Sequence, residues 1–389
     1  MEITLSPFEV AIAAANVSAD ADNVTSVAPY KMFYENARFV TGLICYPIMC
    51  LLGLCGNVFI LLVFSQKTMH TSTNIFLSAL AVSDIIKLLN DFLYFLTILL
   101  LETSPDVGNQ WFGYLYPYAH YFFNTAVCVS AWLTVSVALE RYILVCHPAR
   151  SKTWTSIPRA KLISALCFVT MMMAGIPHAL RYRTIKKVVV EDGVNVTRLD
   201  VVLTDLWRNQ RFVLGYNWLQ SLLRSMIPLV VLVITSSFII NALRRTRANK
   251  RMASRNKITI MLIIVIIFFL VCIIPDAVMS GFFNFGYVES DDYLVKGVRE
   301  ITDMLLGINA AINYVLYMTF NKIFREQFMV FFCRRCADAA KKKEEQRYRR
   351  LSEGRHLANG APPKTNAAGP AAPAAGAAST GIRNAETHV

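Results

Sequence analysis

Charge is scarce in this chain. Only 17% of its 389 residues are Asp, Glu, Lys or Arg, against about 25% in ordinary globular proteins. Apolar residues make up 55%, and the mean hydropathy is +0.43. So little polar surface cannot cover a soluble globule, and disordered and collagen-like chains are excluded as well. Nine cysteines are present, and none falls in a segment expected to face outward. No extracellular disulfide is therefore expected, and the spacings do not form a zinc site. A metal motif, a phosphate loop and a nucleophile constellation are all missing, so no enzyme activity and no cofactor is expected. There is no internal repeat. The N-terminus lacks a basic stretch followed by a long apolar core, so no cleaved signal peptide is expected.

What is present is long apolar runs. Lys257 to Pro275 reads KITIMLIIVIIFFLVCIIP, with no charge after Lys257. Eighteen or more such residues can cross a hydrocarbon core of about 30 Å as a helix. A soluble helix would keep a polar face, which this run lacks. Seven such blocks occur, at about 40–65, 73–101, 112–146, 160–180, 213–243, 257–283 and 297–320. The fold class is an all-α membrane protein. The expected division is an outer N-terminal segment over 1–39, a seven-helix bundle over 40–320, a short amphipathic helix over 321–335 and a tail over 336–389.

The basic excess gives the orientation. The net charge is +13, which by itself suggests nucleic acid or anionic lipid. Residues 147–161 hold four basic residues and no acid, and residues 244–257 hold seven and no acid. Segment 1–39 holds five acids and two bases. Basic loops stay cytoplasmic, so the N-terminus faces outward and nucleic acid is excluded as a partner. The three N-x-S/T sequons, at Asn16, Asn23 and Asn195, all fall on the outer side.

The third block ends Glu140-Arg141-Tyr142, followed by ILVCHP. Gly56-Asn57 precedes it in the first block, and Leu80-Ala81-Val82-Ser83-Asp84 in the second. Pro228 follows in the fifth, Phe269 and Pro275 in the sixth, and Asn309 with Asn313-Tyr314-Val315-Leu316-Tyr317 in the seventh. In this order the set resembles the rhodopsin-like (class A) G-protein-coupled receptors over about residues 40–335. The run LTVSVALERYILVCHPARSKTW resembles the invertebrate FMRFamide-type neuropeptide receptors, whose ligands are short amidated peptides.

The resemblance implies roles. Glu140, Arg141, Tyr142, Phe269, Pro275, Asn313 and Tyr317 would form the activation and G-protein coupling apparatus. Asn57, Asp84, Ser130, Asn309 and Asn313 would line a small polar pocket suited to sodium, the only metal implied. An ionisable residue inside a membrane span is a functional candidate by default; the bland alternative is a protonated Asp84 in a plain hydrogen-bond network. The family's helix-six acid, which helps lock the arginine, would fall at Arg255. Two like charges cannot form that lock, so raised basal output is expected.

The chain also departs from the pattern. Tyr116 stands at the helix-three cysteine, and the second outer loop (178–212) has no cysteine, so packing must hold that loop. Ile273 replaces the helix-six tryptophan, Tyr314 the helix-seven proline, Ser236 the inner helix-five tyrosine, and Cys167 or Phe168 the helix-four tryptophan. Amine receptors carry an Asp where this chain has Phe123, and opsins a Lys where it has Gly307, so both ligand classes are excluded. A peptide suits the long outer loop, whose run Ile185-Lys-Lys-Val-Val-Val190 reads as one strand of a hairpin. Asp91, His120, Phe123, Asn124, Arg224, Asp276, Glu300 and Asp303 are the expected pocket residues. Their acids suit a cationic, Arg-containing peptide. Lys87 and Asp91, four apart, can equally pair on one helix face.

Cys333 and Cys336 are expected palmitoylation sites below the membrane. Nine bases and four acids over 334–355 suit anionic inner-leaflet lipid. The chain ends Glu386-Thr387-His388-Val389, and Thr387 with Val389 resembles a PDZ ligand. The implied partners are an extracellular peptide, a heterotrimeric G protein, arrestin, a PDZ domain and the plasma-membrane bilayer. Two other readings compete: a non-coupling receptor-like protein that only binds ligand, and a transporter or channel, which the retained Glu140-Arg141-Tyr142 argues against.

Overall fold

The structure, a computed structural model, describes residues 30–191, 194–246, 253–283 and 292–333. The chain divides into two units, 1–332 and 333–389, and only Cys333 of the second is described. Among the described residues seven long helices form the bundle. They are α1 (Lys31–Phe39, Val40–Cys45 and Tyr46–Phe64 in one run), α2 (Ser72–Thr103), α3 (Pro105–Cys146) and α4 (Ile157–Ala179). Then come α5 (Gln210–Ser221, Leu222–Met226 and Ile227–Thr246), α6 (Ala253–Phe282) and α7 (Tyr293–Phe320). The short α8 follows over Lys322–Phe332. Six of the seven are apolar enough along their length to cross a bilayer. The other, α2, carries Asp84, Lys87 and Asp91, and it turns all three inward, where each is buried.

Two helices start earlier than the apolar runs suggest. The first turns of α1 are amphipathic rather than apolar, and Tyr34 is buried there with its ring 6.1 Å from that of Tyr293 on α7. α3 starts at Pro105, a residue whose missing N–H is harmless in the first helical turn, with Asp106 complementing the helix dipole. The stretch 102–111 between the second and third apolar runs is therefore almost wholly helical, broken only at Ser104. At 42 residues α3 is about 63 Å long, so it extends well past a hydrocarbon core.

Two wide turns have a shared cause. Val40–Cys45 and Leu222–Met226 are π-helical. Pro47 and Pro228 lie just after them. Each proline lacks an N–H, and its ring crowds the carbonyl four residues back, at Leu43 and Arg224. The backbone relieves that crowding by widening one turn. In α5 the wide turn carries Arg224 and Ser225, both fully buried.

α3 is the central post, with Val129, Ala131, Leu133 and Ala138 wholly enclosed. The inner half of the bundle packs Ile60 and Val63 of α1 with Leu77 and Leu80 of α2. Met261 and Leu262 of α6, Leu316 and Tyr317 of α7 and Phe324 of α8 complete that cluster. Apolar residues on the outer faces, such as Leu51, Val169, Met173 and Val230, are left exposed. Such a surface is stable in lipid, where the helical backbone satisfies its own polar groups. Gly56 lets α1 approach α7 closely: a Cβ there would lie 2.7 Å from the Cβ of Tyr314.

Between α4 and α5 the chain forms an antiparallel hairpin, β1 (Tyr182–Glu191) and β2 (Val194–Leu203), with Tyr182 opposite Leu203. The β-branched run Ile185–Val190 makes up most of β1.

Candidate functional site

A cavity of about 110 Å³ opens among α1, α2, α3 and α7. Five of the expected pocket residues line it: Asp91, His120, Phe123, Glu300 and Asp303. Tyr46, Asn90, Tyr94 and Tyr116, which sequence reasoning did not place there, also line it. Three acids on one small cavity raise the question of what balances them.

Most of the answer lies in buried cations. Lys87 donates to Asp91 at 2.5 Å, both side chains being almost fully enclosed. Arg299 pairs with Asp303, one turn along α7, and its Nη1 donates to Asp276 at 2.9 Å. Arg224 donates to Asp276 Oδ1 at 2.8 Å and to Asn124 Oδ1 at 2.6 Å. Ser225 donates to the other Asp276 oxygen at 2.9 Å. One carboxylate on α6 thus gathers arginines from α5 and α7, and Asn124, Arg224 and Asp276 form a closed cluster rather than cavity wall. The Phe123 ring sits between two cations, 5.1 Å from Lys87 Nζ and 5.4 Å from the Arg224 guanidinium. Arg299 was missed from sequence, although its i, i+4 spacing to Asp303 carried the signal. Glu300, 5% exposed, differs from the other acids: the Tyr94 hydroxyl meets it at 3.2 and 3.3 Å, and among the described residues no Lys or Arg nitrogen lies within 4.0 Å of it.

The hairpin is tied down by rings. Tyr116, at the position the family fills with cysteine, stacks on Phe112 and on Tyr182, both at 4.8 Å between centroids. Its hydroxyl lies 3.3 Å from that of Tyr182. Next along the chain, Arg181 is buried over the rings of Tyr182 (5.0 Å) and Trp207 (4.7 Å), with Nη1 3.1 Å from His120 Nε2. His178 packs edge-on against His120 and face-on against Trp207. Thr184 donates to the Gly113 carbonyl at 2.5 Å. Among the described residues no disulfide joins two cysteines.

Deeper in the bundle, Asp84 accepts from Asn313 Nδ2 at 2.8 Å and from Ser130 Oγ at 3.3 Å. Asn309 lines the same small chamber. Asn57 turns elsewhere, its amide donating to the Gly53 and Ala310 carbonyls at 2.9 Å each. At the inner end Glu140 accepts from Thr73 at 2.7 Å and from Ser72. Arg141 donates to Thr73 Oγ1 and lies 3.7 Å from Glu140. Tyr142 meets His147 at 3.3 Å. Phe269 and Ile273 are buried together with Leu306, and Pro275 lies inside α6. Without a proline, α7 runs unbroken past Asn313 and Tyr314 to Tyr317, whose buried hydroxyl has no hydrogen-bond partner among the described residues.

Some expected sites lie elsewhere. Asn195 is in β2 opposite Val190. Asp292 caps α7 by accepting from the Val295 amide at 3.1 Å. Cys333 follows α8. Asn16, Asn23, Cys336, Thr387 and Val389 lie outside the described residues, as does the side chain of Arg255.

Residues 56–317 match the family model described as 7 transmembrane receptor (rhodopsin family). The chain is 26% identical to the FMRFamide receptor of Drosophila melanogaster over 324 residues, covering 79% of this chain and 56% of that protein, little more than half its length. It is 26% identical to the sex peptide receptor of the same organism over 349 residues, 81% of this chain and 77% of the relative. Neuromedin-U receptor 2 of Mus musculus is 25% identical over 308 residues, 73% of each chain.

Proposed function

Because the chain belongs to the rhodopsin family of seven-transmembrane receptors, we propose that it is a plasma-membrane receptor for a short cationic peptide, with its N-terminus outside. On this reading it passes ligand binding to a heterotrimeric G protein, as a shift between conformations of the bundle. The relatives whose names specify peptides support the ligand class. The observation that carries it is the charge balance around the cavity. Lys87, Arg224 and Arg299 are committed to Asp91, Asp276 and Asp303, which leaves Glu300 facing the cavity beside a tyrosine hydroxyl. A guanidinium from a peptide would give Glu300 a direct partner, beyond the more distant field of Arg38 on α1. The FMRFamide receptor among the relatives supports an amidated end.

The test is guanine-nucleotide exchange in membranes exposed to a library of amidated peptides and their free-acid counterparts. Amidated Arg-containing peptides should be active, and the free acids weaker. Glu300→Gln should lower potency about 10- to 100-fold, the worth of a charge-assisted hydrogen bond. Arg141→Ala should abolish exchange and leave binding largely intact. Equal potency on wild type and Glu300→Gln would reject the assignment.

A non-coupling receptor-like protein is the second reading. Ile273, Ser236 and Tyr314 at switch positions and the unpartnered Tyr317 hydroxyl favour it. Peptide binding without any exchange would establish it. Glycans on Asn16, Asn23 and Asn195, palmitates on Cys333 and Cys336, arrestin, and a PDZ domain on Thr387 and Val389 complete the proposal.

A further inference from the structure

Helix α2 places Asp84, Lys87 and Asp91 at intervals of three and four, which is one face of a helix. All three are buried, at 1%, 3% and 3% exposure. The two carboxylates belong to different chambers. Asp91 lines the cavity of about 110 Å³, and Asp84 lines a second one, inward of it, of about 10 Å³. The side chain of Lys87 also lines the second chamber, while its ammonium is bonded to Asp91. One lysine therefore stands between two buried acids, and among the described residues no other Lys or Arg lines either chamber.

The resemblance implies a sodium ion beside Asp84, and with the Lys87 side chain in place the chamber does not fit one. The chamber has room for about one water. A hard cation wants several oxygens around it. Here Asp84 faces an amide N–H of Asn313 and the hydroxyl of Ser130, both donating to it. Asn57 does not line the chamber: its Nδ2 donates to backbone carbonyls of α1 and α7, and its buried Oδ1 has no partner among the described residues.

We propose that Lys87 is the resident cation of this chamber, in the place of sodium, and that it relays charge from the ligand cavity to α7. In the structure its ammonium is held by Asp91. A cationic group of the ligand that engages Asp91 competes for that carboxylate, and the released ammonium swings one helical turn inward to Asp84. There it competes with Asn313, the residue that ties α2 to α7. The Phe123 ring, 5.1 Å from the ammonium, walls its path. Gly307 leaves room on the α7 side for the Met49 side chain, which a Cβ there would strike, and for Asp91, whose Oδ2 would lie 3.3 Å from it. The trigger rests on the cavity being the peptide site; the sodium statement does not.

The test starts with sodium alone, on the full chain purified in detergent without ligand. Thermal unfolding is compared in sodium chloride and choline chloride at equal ionic strength. Wild type should melt at the same temperature in both. Lys87→Met, or Lys87→Gln if the methionine variant does not fold, should gain a sodium-specific rise of about 2–4 °C. Lys87→Arg should stay insensitive. A sodium-specific rise in wild type, or none in the neutral variants, overturns the assignment. The relay is tested by basal guanine-nucleotide exchange in membranes. Asp91→Asn should change it relative to wild type, and adding Lys87→Met should cancel that change. Equal exchange in the single and double variants overturns the relay. If instead both arms behave as expected while peptide potency ignores Asp91→Asn, the peptide site alone is misplaced.

Discussion

Replacing Tyr182 by Ala tests whether rings hold the outer hairpin where a disulfide is missing. Tyr182 is 5% exposed and contacts Tyr116 and Arg181 through its ring. An aromatic pair is worth about 0.5–1.5 kcal/mol beyond its buried area. A desolvated cation–π contact contributes up to about 2 kcal/mol. Truncating a buried aromatic to Ala costs about 3–5 kcal/mol in all, which matches the roughly 2–4 kcal/mol of a disulfide. Taking about 3 kcal/mol, the open form of the hairpin should gain about 100-fold in population. Hydrogen exchange of the amides in Tyr182–Glu191 and Val194–Leu203 reads this directly. Exchange there should accelerate by about that factor, with the inner half of α3 unchanged. Tyr182→Phe keeps the stacking and should lose only about 1 kcal/mol. Dithiothreitol should have no effect on wild type. Unchanged protection in the Ala variant, or faster exchange on reduction of wild type, would refute the reasoning.

Three further outcomes follow from the geometry. Asp276→Asn leaves Arg224 and Arg299 without their shared carboxylate and should destabilise the bundle by about 3–5 kcal/mol, seen as a lower melting temperature in detergent. Thr73→Ala removes the hydroxyl that contacts both Glu140 and Arg141, so basal nucleotide exchange should rise; unchanged exchange would show that this contact restrains nothing. Gly56→Val should force α1 from Tyr314 and cost about 1–3 kcal/mol by overpacking, again read by thermal unfolding.

Much of the bundle was legible because hydropathy reports lipid exposure, and lipid exposure is what distinguishes these helices. The same signal stops where a helix runs on into polar sequence: the first turns of α1 and α3 leave Glu35, Asn36, Asp106 and Gln110 exposed and carry no apolar run. For α2 the run 73–101 marked the helix but not that Asp84, Lys87 and Asp91 share its buried face. The ends of α2 and α3 also hid a turn of one residue, Ser104, which no apolar pattern marks. For the site, single residues were readable and their pairing was not. Asp276 and Arg224 are 52 positions apart in sequence, and nothing local says that a wide turn before Pro228 brings them together. The absent cysteines at Tyr116 and in the second outer loop did indicate a packed loop, but the rings that pack it come from α3, β1 and the turn at Trp207.

The unbroken α7 has a mechanical consequence. A proline would make this helix a hinge that absorbs bending; Tyr314 makes it a rod. From Asp303 at the cavity to Tyr317 the rod spans about 21 Å. Asn321 then joins it stiffly to α8, ending one helix and accepting from the Phe324 amide of the next at 3.1 Å. Tilting or twisting at the cavity is therefore delivered to the α8 end as rigid-body displacement, with little lost on the way. The compliance must lie in the neighbouring helices, at the widened turn of α5 and at Pro275 of α6, and the Asp276 cluster is the pin that fastens both of those joints to the rod.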